Sequence, residues 1–213
     1  MGLYKKGILG YFRGKVGTVV GAIWNGIHYM RSLPDINTDN PSEAQINTRL
    51  KFALVMAFLK KIKVQILEGY QAFTDGVTPM NAASSYTIKN AVTGTAPNYV
   101  INYPEVILSV GDLDEVLLPE VETAATQQLI ITWTEDTNLQ FGHPTDKVTV
   151  VVYNPARDRF VLARTSVMRS ALTYTLQLPL DYEGDEVNVW MNFVSANGKA
   201  VSNSTYLGEM LVV

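Results

Sequence analysis

The first clear pattern of apolar and polar positions surrounds a turn dipeptide in the stretch GKVGTVVGAIWNGIHYMRSLP (14–34). β-Branched and aromatic residues flank Asn25-Gly26 on both sides. Asn-Gly is the strongest short signal for a type I′ hairpin turn, because both central residues of that turn need a positive φ. The stretch therefore predicts a β-hairpin. A two-residue loop pairs Trp24 with Ile27, Ile23 with His28, and Ala22 with Tyr29.

The two faces of this hairpin differ in their glycine content. Glycine inside a strand marks a bulge, a bend or a surface on which something packs closely. An isolated hairpin is marginally stable in water, so the predicted hairpin needs a cover. That cover is either the helix that follows or a neighbouring subunit. One face carries Val20, Ala22, Trp24, Ile27 and Tyr29; the other carries Gly17, Val19, Gly21, Ile23, His28 and Met30.

A long helix is predicted after the hairpin. Ser42 and Gln45 have the spacing of a capping box, and Gly69 can end the helix. From Phe52 to Leu59 the sequence is apolar nearly all round, which indicates burial by the protein's own domain or by a partner. The candidate subunit contact therefore combines the glycine face with this helix. It comprises Gly17, Val19, Gly21, Ile23, Met30, Phe52, Val55 and Leu59.

The segment between the long helix and residue 115 contains shorter elements. Thr78 and Pro79 fit the N-cap and first position of a second helix over 78–92. Residues 98–113 read as two short strands broken by Pro104. The acidic run GDLDE (111–115) predicts an acidic turn, since a calcium loop needs more oxygen ligands and a glycine at a defined position.

From about Val116 the chain has the pattern of an all-β domain. Short alternating stretches separated by turn residues at 8–12-residue spacing predict an antiparallel β-sandwich. The order resembles a fibronectin type III domain, with Trp133 on an early strand and VNVWMNFVSANGKAVSNS (187–204) as the last two strands. The expected fold class is α+β and β-rich. The expected domains are a hairpin-and-helix module over 1–115 and an Ig-like or fibronectin III-like sandwich over 116–213.

The whole chain also resembles a family of uncharacterised Bacteroidota proteins. The resemblance rests on Gly14–Gly21, on Trp24-Asn25-Gly26, on Arg31-Ser32-Leu33-Pro34 and on the helix residues Gln45, Arg49 and Phe52. It is good over residues 10–60 and looser beyond. It implies the domain layout, and it carries no activity over to this chain.

Charge is unevenly distributed. The net charge is −3, but residues 1–70 carry ten basic and four acidic residues, which leaves +6 there and −9 in the rest. Two such regions can attract each other between subunits, or the basic part can bind nucleic acid. The aromatic residues interleaved with the basic ones fit a hairpin core as well as they fit single-strand binding, so nucleic acid is a minor alternative.

The sequence lacks the residue patterns of most kinds of catalytic site. The chain has no cysteine, which excludes thiolate chemistry and disulfides. Gly10 and Gly14 lack the spacing of a phosphate loop, and Val16 stands where its hydroxyl would be. His28 and His143 lie far apart, with no partners that suggest a zinc site or a catalytic triad. We expect no enzyme activity, no cofactor and no metal.

The prediction for function is a non-enzymatic structural or self-assembling subunit. The N-terminal module would make the subunit contacts and the sandwich would be displayed outward, with a homo-oligomer as the expected state. The alternative is a monomeric binding or adhesion module that recognises a glycan or protein through the sandwich loops. No segment has the length of a membrane span, and no secretory signal is recognised. The sequence does not fix the compartment, and the open alternatives are a cytoplasmic protein, a virus-type structural protein or export by a non-classical route.

Overall fold

The computed structural model describes residues 3–4, 10–24, 26–34, 40–73 and 76–213. It contains thirteen strands and three α-helices within these ranges. The strands of the N-terminal part are β1 (Leu3–Tyr4), β2 (Phe12–Val16), β3 (Val19–Trp24) and β4 (Ile27–Ser32). The middle part holds α1 (Glu43–Lys61), α2 (Lys63–Gly69), α3 (Pro79–Asn90), β5 (Val92–Thr95) and β6 (Asn98–Ile101). The C-terminal strands are β7 (Leu117–Ala124), β8 (Gln128–Thr134), β9 (Lys147–Asn154), β10 (Arg159–Met168), β11 (Thr173–Gln177), β12 (Glu186–Val194) and β13 (Thr205–Leu211).

Contacts divide the chain into two compact units, Met1–Ser42 and Glu43–Val213. The N-terminal unit holds one antiparallel sheet in the order β1-β2-β3-β4. The predicted hairpin is confirmed in its register, because Trp24 pairs with Ile27 and Ala22 pairs with Tyr29. Gly26 has φ +81°, as its place in the turn requires, while Asn25 lies outside the described residues.

The sequence analysis placed Gly17 within a strand of the hairpin, and this prediction is wrong. It lies in the turn between β2 and β3, where Val16 pairs with Val19, and its φ is +59°. This left-handed conformation strains any residue with a Cβ, so the glycine serves the turn. The sheet also contains β1 and β2, which the sequence analysis did not predict.

The C-terminal strands form the predicted sandwich. One sheet has the order β11-β8-β7 and the other has the order β10-β9-β12-β13. This division into three and four antiparallel strands is that of a fibronectin type III-like sandwich. The expected fold class, α+β and rich in β-structure, is confirmed. Between the sheets lies a core built from alternate positions of each strand, with Leu129, Ile131, Val150, Val189 and Phe193 fully buried.

The outer face of the four-stranded sheet is covered by helices. Val151 and Tyr153 of β9 and Trp190 of β12 point away from the sandwich core and pack with Val55, Phe58 and other residues of the helices. The Trp190 indole donates a hydrogen bond to the carbonyl oxygen of Val106 over 3.1 Å. Because β9 and β12 are buried on both faces, they read as nearly continuous apolar runs.

The core between the helices and the four-stranded sheet determines the boundary between the two compact units. The helices share it with the sandwich, so residues 43–213 form one compact unit, and the N-terminal sheet belongs to the other unit. The division at 115/116 therefore stays a prediction about domains, while the packing divides the chain between Ser42 and Glu43.

The helices follow the sequence signals with one difference. Thr78 caps α3, its hydroxyl accepting a hydrogen bond from the amide of Asn81 over 3.3 Å, and Pro79 opens the helix. The helix predicted to reach Gly69 is interrupted at Ile62 and continues as α2. Close packing explains the glycine at its end, because a Cβ on Gly69 would lie 2.3 Å from the carbonyl oxygen of Leu108.

The segment 98–113 forms one strand where two were predicted. β6 pairs with β5, which the sequence analysis missed. Residues 106–112 run outside any strand, and side chains satisfy part of their backbone. Ser204 Oγ accepts hydrogen bonds from the amides of Leu108 (2.8 Å) and Ser109 (3.3 Å). A side chain thus replaces a strand partner here, which a pattern of apolar positions does not reveal.

Candidate functional site

The N-terminal sheet is unusual in having no hydrophobic core of its own among the described residues. Both hydrophobic cores consist of residues after Ser42. Within β1 to β4, the one residue classed as buried among those described is Gly21. A folded sheet normally buries one apolar face, since a sheet of this size gains its stability from that burial. Among the described residues of this sheet, the apolar side chains are thus half-buried or exposed, and none is buried.

The exposed apolar side chains lie on both faces of the β3–β4 hairpin. Trp24, Ile27 and Tyr29 share one face and are 45%, 62% and 43% exposed. Ile23 and Met30 share the other and are 44% and 71% exposed. Every residue of β4 is exposed, and β4 is the last strand of its sheet. An exposed apolar edge strand is a surface on which another chain can pair.

Four of the predicted contact residues lie in β3 and β4, and the structure distinguishes among them. Ile23 and Met30 are exposed, and Val19 is half-buried. Gly21 is covered within its own unit, because a Cβ there would lie 2.2 Å from the carbonyl oxygen of Phe12. The glycine therefore permits a close approach by β2, and neither a helix nor a second subunit is needed to explain it.

The predicted contact residues on the helix also include both exposed and buried side chains. Phe52 is 51% exposed, whereas Val55 and Leu59 are fully buried in the core between helices and sheet. The apolar run that suggested a partner is thus covered by the protein's own sheet at these two positions. Val55 and Leu59 leave the candidate contact surface, and Gly17 remains only as a turn residue.

The first two turns of α1 are more exposed than the rest of the helix. Of residues 43–50, all are exposed except Asn47, which is half-buried. Ile46 and Leu50 keep 42% and 36% of their surface accessible. The sequence analysis placed the candidate contact surface of this helix at 52–59, about one turn after these exposed apolar residues. Periodicity does not show which side of a helix packs against the rest of its own chain.

The acidic run at 111–115 has a structural role. Asp114 Oδ2 accepts hydrogen bonds from the three consecutive amides of Gln140, Phe141 and Gly142, at 2.8, 2.8 and 2.7 Å. These amides, that of Gly142 first, hold the pKa of Asp114 below its ordinary value. The carboxylate is thus used to fix a loop of the sandwich.

A buried arginine holds the other side of that loop. Arg169 is 6% exposed, and its guanidinium lies 3.8 Å from the centre of the Phe193 ring. It donates a hydrogen bond to the carbonyl oxygen of Asp114 over 2.6 Å and pairs with Asp146 at 3.6 Å. Burial lowers the pKa of Arg169. The two ends of the guanidinium are bound to backbone carbonyls of Asp114 and Glu115, which indicates a structural role.

The two histidines make different contacts, one through its ring and the other through its backbone amide. The ring of His28 stacks on that of Tyr11, 3.6 Å between centroids. The amide of His143 donates to Asp146 Oδ2 over 2.7 Å. Over the described part of the chain, no group of three or more His, Cys, Asp or Glu side chains could hold a metal ion. None of the helices described there is long and apolar enough to cross a membrane.

Among the concave sites of the 43–213 unit are a groove on α3 and a cleft on α1. A groove of about 670 Å³ lies between α3, the segment 107–115 and the turn before β13, with Tyr86 and Lys89 on its helix side and Glu115 and Asn203 opposite. Its volume is in the range of small-ligand sites. A cleft of about 460 Å³ lies between α1 and β6, with Leu54, Ala57, Tyr99 and Val100 in its lining.

Sequence comparison gives the chain a family. It belongs to the family of unknown function DUF6266. The family model matches residues 11–208, which cover most of the N-terminal sheet, the helices and nearly all of the sandwich. No curated protein matches the chain. The match to DUF6266 does not show from which organism the chain comes, so a Bacteroidota origin stays a prediction.

The solved structures that are similar to the chain include two human fibronectin type III domains. One is the fibronectin type III domain of the human collagen alpha-1(XX) chain, with 13% identity, a TM-score of 0.36, and coverage of 47% of this chain and 85% of that one. The other is the fibronectin type III domain of human contactin 1, with 10% identity, a TM-score of 0.30, and coverage of 55% and 85%.

Proposed function

We propose that this DUF6266 protein is a non-enzymatic structural subunit that assembles with copies of itself through its N-terminal sheet. The observation that carries the proposal is the exposure of the whole of β4, in a sheet whose described residues are absent from both hydrophobic cores. Apolar surface of this kind favours association, because association removes it from water.

Charge supports the same assignment. Residues 1–42 carry five basic and two acidic residues, and residues 43–213 carry twelve basic and eighteen acidic residues. The N-terminal unit is thus positive and the rest is negative. Opposite charges on two parts of one subunit favour contact between the part on one copy and the other part on the next, and they speed the encounter.

Point variants in the full chain test the proposal. Ile27→Lys with Met30→Lys places two charges on β4, one on each face. Leu180→Lys is the matched control, since Leu180 is 79% exposed and lies in the sandwich. The β4 variant should weaken self-association at least tenfold in light scattering, while the control keeps it. Equal association of all three proteins would overturn the role of the N-terminal sheet.

The groove on α3 favours a second candidate function, a binding module for a protein or glycan. Its lining combines aromatic and aliphatic side chains with amides, and Asn203 and Ser204 bring in the turn before β13. Tyr86→Ala with Lys89→Ala should abolish binding to a panel of immobilised glycans and peptides if the groove is the site. Lys199→Ala, at an exposed lysine outside the groove, is the control.

A further inference from the structure

Two clefts of the 43–213 unit share one ion pair in their linings. The ammonium of Lys61, at the end of α1, pairs with the carboxylate of Asp158, in the turn between β9 and β10. Both residues line the α1–β6 cleft of about 460 Å³, and both also line a second cleft, of about 520 Å³, beside β10. Each volume is in the range of small-ligand sites, so a ligand longer than either cleft can lie across the pair.

Aromatic rings line much of the α1–β6 cleft. Phe58 and Tyr153 are buried in its wall, and their rings meet edge to face with centroids 5.1 Å apart. The ring of Tyr103 lies 5.4 Å from that of Tyr153. Tyr99 lines the cleft from β6, and the ammonium of Lys51 lies 4.9 Å from its ring centre. Because these contacts already hold the rings in place, little side-chain entropy is lost when a ligand packs on them.

The carboxylate of Asp158 is held at both of its oxygens. Oδ1 accepts a hydrogen bond from the hydroxyl of Tyr153 over 2.8 Å, and Oδ2 pairs with Lys61. A carboxylate has about four acceptor positions and an ammonium has three donors, so both groups keep positions for a ligand. Both side chains are also exposed. A hydroxyl group donates and accepts, so a ligand with neighbouring hydroxyls matches both members of the pair.

The charges of the two clefts are balanced. In the second cleft a guanidinium nitrogen of Arg159 lies 3.7 Å from Oδ2 of Asp181, and Lys61 pairs with Asp158 where the linings overlap. Among the described residues, the two linings hold no other Asp, Glu, Lys or Arg. A charged ligand would therefore have to displace a partner, whereas a neutral ligand leaves both ion pairs intact.

We infer that a neutral oligosaccharide binds across the Lys61–Asp158 pair, with at least one sugar unit in each cleft. A pyranose ring has apolar C–H groups on its faces and hydroxyls around its rim. The faces match walls such as Tyr99 and Leu54, and the hydroxyls match the ion pair. The site is distinct from the α3 groove, since their linings share no residue. The inference goes beyond the proposed self-assembly and does not depend on it.

The α3 groove is a poorer site for a sugar, because the fold uses the polar groups opposite its helix. The side-chain amide of Asn203 donates to Glu115 and accepts from the backbone, and Ser204 accepts from two backbone amides. These groups keep fewer positions for sugar hydroxyls than the Lys61–Asp158 pair does.

Two single changes remove the proposed contacts and should leave the fold intact. Asp158→Asn tolerates the positive φ of 51° at this position and still accepts from the buried tyrosine hydroxyl. It removes the charged acceptor and the pair with Lys61, and exposed ion pairs contribute little to stability. Tyr99→Ala removes an aromatic wall. The matched controls are Asp112→Asn, at an exposed aspartate outside both clefts, and Tyr86→Ala, at a half-buried tyrosine in the α3 groove.

The experiment screens the full chain against an array of neutral oligosaccharides, sulfated oligosaccharides and peptides, at low and high salt. At least one neutral oligosaccharide of two or more units should bind, with an affinity that salt leaves unchanged because the ligand has no charge. Calorimetric titration with that sugar should show that Asp158→Asn and Tyr99→Ala each weaken binding at least tenfold. The two controls should keep the wild-type affinity, and all four variants should keep the thermal midpoint within a few degrees.

Several results would overturn the inference. These are an array on which no neutral oligosaccharide binds, binding confined to sulfated sugars or peptides, and wild-type affinity in Asp158→Asn and Tyr99→Ala. Loss of sugar binding in Tyr86→Ala alone would assign the sugar to the α3 groove instead.

Light scattering on the same samples separates this inference from the proposed function. A chain that stays monomeric and binds the sugar overturns the self-assembly alone. A chain that assembles and binds no neutral sugar overturns the sugar site alone.

Discussion

The N-terminal sheet and the 43–213 unit differ in how far they bury the apolar side chains of their strands. In the larger unit, β9 and β12 bury alternate side chains in two different cores, so little of either strand meets water. In the N-terminal sheet, β3 and β4 carry a similar share of apolar residues and leave most of them exposed. Composition alone does not separate a strand that is buried in a core from one that stays exposed.

The largest effect should come from cutting the chain at the two possible boundaries. A fragment 43–213 keeps both cores and should unfold cooperatively, with a thermal midpoint close to that of the full chain. A fragment 116–213 loses the helices and uncovers Val151, Tyr153 and Trp190. At about 1.5–3 kcal/mol for each side chain, that loss is on the order of a whole domain's stability.

Circular dichroism during heating would measure both fragments. A shorter fragment that melts as sharply as the longer one would show that the helices are a separate domain, and the single-unit account of residues 43–213 would then be wrong.

A comparison of two tryptophans sharpens the difference between the units. Trp190 is fully buried, and Trp190→Ala should cost about 3–5 kcal/mol of the free energy of unfolding. Trp24 is 45% exposed in the N-terminal sheet, and Trp24→Ala should change the unfolding of the larger unit by less than about 0.5 kcal/mol. Urea denaturation followed by circular dichroism gives both values, and similar costs would contradict the account.

A smaller effect is expected at Asp114. Losing its three hydrogen bonds in Asp114→Ala should cost on the order of 2 kcal/mol at neutral pH. Because the fold lowers the pKa of this carboxyl, its contribution is complete above the unfolded pKa of about 3.9 and is lost as pH falls through the folded value. The difference between wild type and Asp114→Ala should therefore stay constant from pH 7 to about pH 4 and shrink as the pH falls further. Urea denaturation at each pH measures that difference, and a constant one would show that the charge on Asp114 is not what holds the loop.

The smallest effect on stability should come from the β4 variant. Ile27→Lys with Met30→Lys alters two exposed side chains, so the free energy of unfolding of residues 43–213 should move by less than about 0.5 kcal/mol. The same variant should lose association, which separates assembly from folding. A large loss of stability at a concentration where the chain is monomeric would mean that β4 packs within its own chain.

Much of this architecture could be predicted from the sequence, because the elements concerned are specified by residues close together in the chain. Asn25-Gly26 set the hairpin register, Thr78 and Pro79 began α3, and alternation from residue 126 onward marked the sandwich strands. Each rests on turn chemistry, capping or a period of two, and each acts within a few residues.

The parts that the sequence analysis missed depend on contacts between distant residues. Nothing local shows that Val55 and Leu59 face β9 and β12 of the same chain, although the apolar runs of those strands were a signal that both of their faces are covered. The bulge in β7 between Leu117 and Glu120 gave no signal in the sequence, because it comes from the pairing of β7 with β8.

The most direct test of the account is the mass of the full chain by light scattering after gel filtration, over a concentration series at low and high salt. The account predicts a mass that rises with concentration above the 23.6 kDa of one chain and falls when salt screens the charges. A mass of 23.6 kDa at every concentration and salt would contradict it.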